Sequence, residues 1–271
     1  MNIVITGAGG VLCSAFAKAL AADGHKVALL DLNLEAAEAA AAEIRKNGGE
    51  AVAVQANVLD PESLAAAHEA VEKAFGHCEV LVNGAGGNNP KGTTTGEYFD
   101  TADLLGGTAR TYLDLDQAGV PPDFKLNFLG TLLTTQAFAR DMLETGGSIV
   151  NISSMNAYTP PTKIPAHSGA KAAVSNFTQW LAVHFANCGI RVNAIAPGFF
   201  ATNQNRALLF NADGSLTPRS HKIISQTPMG RFGKPEELLG TLRFLIDNEA
   251  AGFNTGITIP VDGGFSAYSG V

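Results

Sequence analysis

Short runs of apolar, often β-branched residues alternate along the chain with alanine-rich segments. The apolar runs predict strands at 2–6, 26–31, 51–55, 79–83, 147–152, 190–196 and 256–261. The segments between them predict helices near 11–23, 34–47, 61–75, 125–144, 168–187 and 235–247. Strands that alternate with helices of this length are typical of βαβ units and a parallel sheet. The strand runs are apolar on both faces, as expected when helices cover both sides of the sheet. The pattern therefore predicts one α/β domain over residues 1–271.

Two helix starts carry their own signals, and two long polar segments interrupt the alternation. Asp60 before Pro61 predicts a capped first turn, and Lys234 before Pro235 is followed by acidic residues.

The polar segments, 84–124 and 197–227, each follow the carboxyl end of a predicted strand. Ligands bind at that edge of an open parallel sheet, and loops this long are usually functional or mobile. We therefore expect the two segments to be substrate loops.

Composition narrows the function classes. The chain has 271 residues, of which 46% are hydrophobic and only 16% are charged, so much of it is buried. The net charge is −7 without a basic cluster, which argues against a nucleic-acid partner. Cys13, Cys78 and Cys188 are isolated, which predicts neither a disulfide framework nor a metal site. The chain opens on a strand-like run and contains no apolar segment long enough to cross a membrane. We expect a cytoplasmic protein without a membrane partner.

The segment "VITGAGGVLCSAFAKAL" has the order strand, glycine turn, helix. Glycines at such a turn let the backbone approach a pyrophosphate and direct helix amides toward it. The candidate residues are Gly7, Gly9, Gly10, Val11 and Leu12. The alternative is an ordinary turn between a strand and a helix.

Asp31 ends the second predicted strand, 24 residues after Gly7. A carboxylate there can accept hydrogen bonds from the ribose hydroxyls of NAD and repel the additional phosphate of NADP. The alternative is a helix N-cap. Taken with the glycine turn, Asp31 predicts a dinucleotide site with NAD as the cofactor.

Five motifs in order carry a family resemblance. They are "TGAGGVLC", "NGAG" at 83–86, "NISS" at 151–154, the lysine at 171 and "PG" at 197–198. With them the whole chain resembles a short-chain dehydrogenase/reductase. The resemblance implies a single-domain Rossmann-like fold with seven parallel strands in the order 3-2-1-4-5-6-7 and helices on both faces. It also implies a homotetramer or homodimer. "NISSMNAYTPPTKIPA" and the final "VDGGFSAYSGV" are similar to the D-mannonate oxidoreductases, or fructuronate reductases, which interconvert fructuronate and mannonate with NAD(H).

The resemblance also implies roles for single residues. Asn127 would hold a water in a proton relay, and Ser154 would hydrogen-bond the reacting oxygen. Lys171 would bind the nicotinamide ribose and lower the pKa of a catalytic tyrosine, at whose position this chain has His167. Further implied cofactor residues are Asn57, Val58, Asn83, Gly84, Ala85, Pro197, Gly198 and Thr202.

Four departures from the family pattern accompany the resemblance. Val11 and Cys13 replace glycines, Asn57 replaces a commoner aspartate, and Gly84 replaces a commoner asparagine. The fourth, His167, changes the chemistry, because an imidazole beside the Lys171 ammonium is expected to be neutral at pH 7. A neutral imidazole is a poor acid and a workable base.

The consequence of His167 for turnover is left open by the sequence. The alternatives are an enzyme weakened by His167 and an NAD-binding protein without turnover. Tyr158 is a conceivable substitute proton donor, although packing of its loop is the more ordinary role.

A small-molecule substrate is expected on the two loops. A sugar acid needs a cation for its carboxylate and polar groups for its hydroxyls, for which Asn88, Asn156 and Arg206 are candidates. Alternatively these side chains only solvate the loops, and "RALLF" at 206–210 forms an apolar lid helix. The sequence therefore predicts an oxidoreductase acting on a sugar acid or polyol. The alternative within the enzyme class is a 3-oxoacyl or general alcohol dehydrogenase.

Overall fold

A computed structural model describes residues 1–105, 108–202 and 206–270. Its centre is one sheet of seven strands, all of whose neighbours pair in parallel, in the order 3-2-1-4-5-6-7. The strands are β1 Asn2–Thr6, β2 Lys26–Asp31, β3 Glu50–Gln55, β4 Val80–Asn83, β5 Gly147–Ile152, β6 Ile190–Pro197 and β7 Thr258–Val261. The predicted fold class and strand order are confirmed, and the predicted strands agree with these bounds to within two residues.

The helices lie between the strands. They are α1 Val11–Ala22, α2 Leu34–Lys46, α3 Pro61–Phe75, α4 Pro121–Phe124, α5 Gly130–Phe138, α6 Pro165–His184, α7 Arg206–Leu209, α8 Pro218–Ser225 and α9 Leu239–Ile246. A π-helical turn, Lys125–Leu129, joins α4 to α5. Short 3-10 turns cover Pro90–Gly92, Thr101–Leu105, Tyr112–Asp114, Gln117–Gly119, Ala139–Met142, Met155–Ala157, Ala186–Cys188, Pro235–Leu238 and Phe265–Ala267.

Side chains of the β1 strand show why the sheet is covered on both faces. Ile3 and Ile5 belong to a core shared with α1, α2 and α9. Val4, which points the other way, belongs to a second core with α3, α5 and α6. Successive side chains of a strand alternate between faces, so a strand that is apolar at every position needs a helical layer on each side. Among the described helices none is long and apolar enough to cross a membrane.

Two helices begin earlier than the sequence pattern predicts. The helix predicted at 125–144 starts at Pro121 and changes to π and then α geometry, ending in a 3-10 turn. The helix predicted at 168–187 runs from Pro165 to His184. Proline is well suited to the first helical position, because its missing N–H has no partner there. The consequence for the site is that His167 lies in the first turn of α6 rather than in the loop before it.

The two long segments are only partly irregular. Among their described residues, the segment 84–124 contains four 3-10 turns and α4, and the segment 197–227 contains α7 and α8. The predicted cap of α3 is confirmed, since the Asp60 side chain accepts a hydrogen bond from the Glu62 amide at 3.0 Å. A short helix, Arg206–Leu209, lies within "RALLF", and its role as a lid stays a prediction.

Candidate active site

The glycine turn after β1 packs against the segment after β4. Gly7 has φ +65°, and a Cβ at this position would lie 2.9 Å from backbone atoms of Gly84 and Ala85. The hydroxyl of Thr6 accepts hydrogen bonds from the amides of Gly84, at 3.1 Å, and Ala85, at 3.2 Å. Both the conformation and the close approach require glycine at position 7. The ends of β1 and β4 are thereby held together.

Asp31 lies at the rim of the same turn. Its carboxylate accepts a hydrogen bond from the Gly9 amide at 2.9 Å and another from the Asn33 amide at 2.9 Å. The side chain that caps α2 is Asn33, which accepts from the Ala36 amide at 3.2 Å. The helix-cap alternative for Asp31 is therefore wrong, and its carboxylate is fixed against the glycine turn.

A cavity of about 400 Å³ opens above this turn. Its lining consists of Gly7, Gly9, Gly10, Val11, Leu12, Cys13, Asp31, Asn33, Ala36, Gly84 and Gly86. In the described structure no side chain caps α1, whose N-cap is Gly10, so its first-turn amides have no side-chain acceptor. A helix N-terminus of this kind favours a bound anion. The small lining residues, the amides and the carboxylate fit the phosphates and ribose of a dinucleotide.

Cys13 and Gly84, two departures from the family pattern, lie in contact beside this cavity. Cys13 is buried, and a Cβ built on Gly84 would overlap its sulfur. The same Cβ would lie 2.9 Å from the carbonyl oxygen of Thr6. Burial raises the pKa of the Cys13 thiol to about 12, although the charge of Lys171 opposes the shift. The thiol is consequently a packing group rather than a nucleophile.

Gly86 connects the cavity to a cluster of polar side chains. A Cβ at this position would lie 2.6 Å from Asn127 Oδ1 and 3.2 Å from Lys171 Nζ. Lys171 is buried, and its ammonium donates a hydrogen bond to the Ile152 carbonyl at 2.7 Å. Burial lowers the pKa of Lys171 to about 8. The lysine and the asparagine therefore both pack against Gly86, which lines the cavity.

Asn127 is fully buried in the π-helical turn, and its side-chain amide is held on each side. Its Nδ2 donates to the carbonyls of Gly87 and Asp123, each at 2.8 Å. Its Oδ1 accepts from the Gly87 amide at 3.2 Å. The predicted role of Asn127 in holding a water stays a prediction, but its orientation is fixed by these contacts.

His167 also contacts Gly87. Its Nδ1 lies 3.0 Å from the Gly87 carbonyl oxygen. A carbonyl oxygen only accepts, so Nδ1 carries the proton and Nε2 of the neutral ring carries the lone pair. Burial, and after it the charge of Lys171, lowers the pKa of His167 to about 4. The ring is therefore neutral at pH 7, as the sequence predicts.

Ser154 caps the 3-10 turn Met155–Ala157, which follows β5. Its Oγ accepts a hydrogen bond from the Asn156 amide at 3.2 Å, and Asn156 itself is buried. Tyr158 is half exposed, and its hydroxyl donates to the Thr258 carbonyl at 3.0 Å. This contact favours the packing role of Tyr158 over the role of substitute proton donor.

The remaining predicted cofactor residues lie at or just after the carboxyl ends of β3, β4 and β6. Gly198 follows β6 and donates its amide hydrogen to the Val261 carbonyl at 2.9 Å. Asn83 is buried, and its Nδ2 donates to Thr135 Oγ1 and Asn151 Oδ1. The structure places the others without testing their role: Asn57 and Val58 follow β3, Ala85 follows β4, Pro197 ends β6, and Thr202 lies in the loop after it.

The predicted substrate residues are dispersed over the loops. Asn88 is exposed, and its Nδ2 lies 3.5 Å from Thr93 Oγ1. Arg206 is exposed on α7, where its guanidinium lies 5.3 Å from the centre of the Phe210 ring. The role of Arg206 as a carboxylate ligand stays a prediction.

The sequence does not predict two groups near Asn127, the Gly87 carbonyl and the Asp123 carboxylate. The Gly87 carbonyl accepts from both Asn127 and His167. Asp123, one helical turn before Asn127, is buried and accepts the Asn89 amide at 2.7 Å. Its Oδ2 has no partner among the described residues, and burial raises its pKa. Asp123 could have been predicted to lie near Asn127, because it is one helical turn away in the sequence. A backbone carbonyl such as that of Gly87 is not marked by any side-chain pattern.

Comparison with known proteins identifies the family. A family model described as enoyl-(acyl carrier protein) reductase matches residues 7–266. The chain belongs to the short-chain dehydrogenase/reductase family. A relative in this family from Bacillus subtilis, "Uncharacterized oxidoreductase UxuB", is 54% identical over 99% of this chain and 95% of its own. A 3-oxoacyl-[acyl-carrier-protein] reductase from Synechocystis is 38% identical over 98% of this chain and 96% of its own.

A solved structure of this short-chain dehydrogenase/reductase type is very similar. It is the crystal structure of a "putative D-Mannonate oxidoreductase" from Haemophilus influenza with bound NAD. It is 58% identical, covers 100% of this chain and 96% of its own, and superposes with a TM-score of 0.95. The chain is thus similar along its whole length to a family member that binds NAD.

Proposed function

We propose that this short-chain dehydrogenase/reductase transfers a hydride between NAD(H) and a sugar acid or polyol, with D-fructuronate and D-mannonate as the first pair to test. One observation carries the proposal. The glycine-lined cavity with Asp31 at its rim includes Gly86, and Lys171 and Asn127 both pack against this glycine. The NAD in the 58% identical structure, and the D-mannonate activity suggested for that protein, support the cofactor and the substrate class.

The glycine turn and Asp31 would hold the cofactor, and NAD when bound supplies the hydride acceptor or donor. Asp31 is already fixed by the amides of Gly9 and Asn33, so it accepts ribose hydroxyls without reorganising. The same carboxylate repels a 2′-phosphate. Preference for NAD(H) over NADP(H) follows from that repulsion.

His167 would act at the proton-transfer step. Its Nδ1–H is bound to Gly87, so Nε2 accepts the hydroxyl proton of an alcohol during oxidation, and the ring becomes imidazolium. In the opposite direction the ring must first be protonated, and with a pKa of about 4 it is almost wholly neutral at pH 7. At pH 7 the ring is therefore available as the base for alcohol oxidation and is rarely available as the acid that ketone reduction needs.

Ser154, Asn88, Asn156 and Arg206 would bind the substrate. Ser154 caps the 3-10 turn that contains Asn156. This turn follows β5, whose carbonyl group at Ile152 accepts a hydrogen bond from Lys171. A polar set of this kind suits a hydroxylated acid, and the guanidinium of Arg206 suits its carboxylate.

A second candidate is an NAD-binding protein of the same fold that has no turnover. The neutral His167 ring, in place of a phenol, favours it. A third is a 3-oxoacyl or general alcohol dehydrogenase, favoured by the 38% identical Synechocystis reductase.

A substrate panel separates the three. Hexuronates, aldonates, polyols and a 3-oxoacyl thioester are assayed with NAD and NADP in both directions, for the parent protein and for His167→Tyr. Turnover of a hexuronate or aldonate pair supports the proposal. NAD binding without turnover by either protein supports the second candidate, and turnover of the thioester alone supports the third.

The proposal includes a homotetramer or homodimer. Trp180 and Val183 on α6 are 57% and 81% exposed, and Trp180 stacks between Phe177 and His184. Exposed apolar side chains on one helix suit contact with a second copy. Light scattering of the purified protein measures the assembly directly.

A further inference from the structure

We infer that Cys13 and Gly84 form a steric pair that sets the floor of the cofactor cavity, so that Cys13 is a positioning residue for NAD. This inference rests on the proposed function, because the cavity is the proposed cofactor site. Both residues line it. They belong to different elements, α1 and the segment after β4, so their contact sets the distance between the two sides of the floor.

The space at this contact holds one side chain and no more. A Cβ on Gly84 would overlap the Cys13 sulfur and lie 2.9 Å from the Thr6 carbonyl oxygen. The backbone on that side does not yield readily, because the Thr6 hydroxyl binds the amides of Gly84 and Ala85. The thiol therefore fills the space that a side chain at position 84 would take. Deleting it leaves a void between the helix and the strand end.

A shift of the backbone at Gly84 would also reach Asn127, Lys171 and His167. Two residues later, Gly86 leaves no room for a side chain beneath Asn127 Oδ1 and Lys171 Nζ. Gly87 follows, and its carbonyl orients His167. A segment pushed outward by a new side chain at position 84 would thus move toward the groups that carry the chemistry. Cofactor affinity and turnover should change together.

A double-mutant cycle tests the pair. The variants are Cys13→Gly, Gly84→Ala and their combination, and the readouts are the dissociation constant for NAD by calorimetry and the thermal unfolding midpoint. Overpacked sites are costly, so Gly84→Ala alone should weaken NAD binding by about tenfold or more. In the double variant, the added methyl group enters the space that the thiol has left. Its 2.9 Å approach to the Thr6 carbonyl oxygen remains, so the rescue is partial: the affinity should be at least about threefold higher than that of Gly84→Ala alone, a non-additive result.

A second test compares Cys13→Ala with Cys78→Ala. It gives a result even where the Gly84→Ala variant does not fold. Both thiols are buried, but Cys78 lies in the core on the opposite face of the sheet, where its Sγ donates to the Val80 carbonyl. Both variants should unfold at lower temperature. Only Cys13→Ala should weaken NAD binding, by about threefold to tenfold, and raise KM for NAD.

The outcomes distinguish this inference from the proposed function. If the parent binds NAD and the effects of Cys13→Gly and Gly84→Ala are additive, the inference is overturned and the proposed function stands. Equal NAD affinities for Cys13→Ala, Cys78→Ala and the parent also overturn it. A parent protein that binds neither NAD nor NADP overturns both.

Discussion

The Nδ1–H of His167 donates a hydrogen bond to the carbonyl oxygen of Gly87 across 3.0 Å. That carbonyl also accepts from Nδ2 of Asn127, so one backbone group orients two side chains of the candidate site. Fixing the proton on Nδ1 leaves Nε2 as the basic atom. In the proposed function, Nε2 is therefore the atom that would accept the proton of an alcohol.

His167→Tyr should raise ketone reduction by about 10²–10⁴-fold, the range that a general acid typically contributes. Lys171, Ser154 and Asn127 remain in place, so only a proton donor is lacking. The measurement is kcat for reduction, with NADH affinity expected to change little. His167→Phe is the matched control, since it supplies a ring without a hydroxyl and should give no gain. A tyrosine variant no faster than the parent, on a substrate both bind, would locate the loss of activity elsewhere.

Alcohol oxidation by the parent should vary little between about pH 6 and pH 7.5. The pKa of His167 is about 4, so its basic form is already complete in that range. Above it, Lys171, whose pKa is about 8, begins to lose its proton, and KM for NAD should rise. The check is kcat and KM for oxidation across pH 5 to 10. A steep rise of kcat centred near pH 6.5 would mean that His167 titrates as a solvated imidazole.

Acid should destabilise the parent more than His167→Phe. The pKa of His167 is about 4 in the folded protein against an ordinary 6.5, so the unfolded chain binds more protons between these values. The free energy of unfolding contributed by this group therefore falls as the pH is lowered through that window. Urea unfolding at pH 7, 5.5 and 4.5 measures it. His221→Phe, which removes an exposed histidine, is the control variant in the same unfolding series.

Asp31→Asn should reduce the preference for NAD(H) over NADP(H), because it removes the charge that repels a 2′-phosphate while keeping an acceptor oxygen for the Gly9 amide. Calorimetric titration of both nucleotides gives the ratio of the two dissociation constants. Glu35→Gln, an exposed carboxylate in the first turn of α2, controls for a general charge effect and should leave the ratio unchanged. Tighter binding of NADP(H) than of NAD(H) by the parent would contradict the assignment.

Arg206→Ala should raise KM for an acid substrate by about tenfold or more and change KM for a neutral polyol little, because a guanidinium–carboxylate pair is lost only with the acid. Arg45→Ala is the control, since Arg45 lies near the end of α2 and donates to the Ala51 carbonyl. If Arg206→Ala raises KM equally for the acid and the polyol, this arginine stabilises α7 through the Phe210 ring and does not bind the substrate carboxylate.

The order of the elements follows from the sequence by itself. Apolar runs with no polar face require a sheet covered on both sides, which fixes the parallel α/β class, and β1 shows this coverage residue by residue. The glycine turn, Asp31 and the lysine four residues after His167 are local patterns. They predict a dinucleotide site and the place of the altered acid/base group before any contact is known.

Only the tertiary structure decides how those residues act together. Cys13 and Gly84 are separate departures in the sequence, and they become one steric pair because α1 and the end of β4 meet across β1. The tautomer of His167 depends on the Gly87 carbonyl, a group that every residue possesses and that no sequence pattern distinguishes. Local propensity sets the elements, whereas the pKa and the proton position of a side chain are set by burial and by neighbours that are distant along the chain.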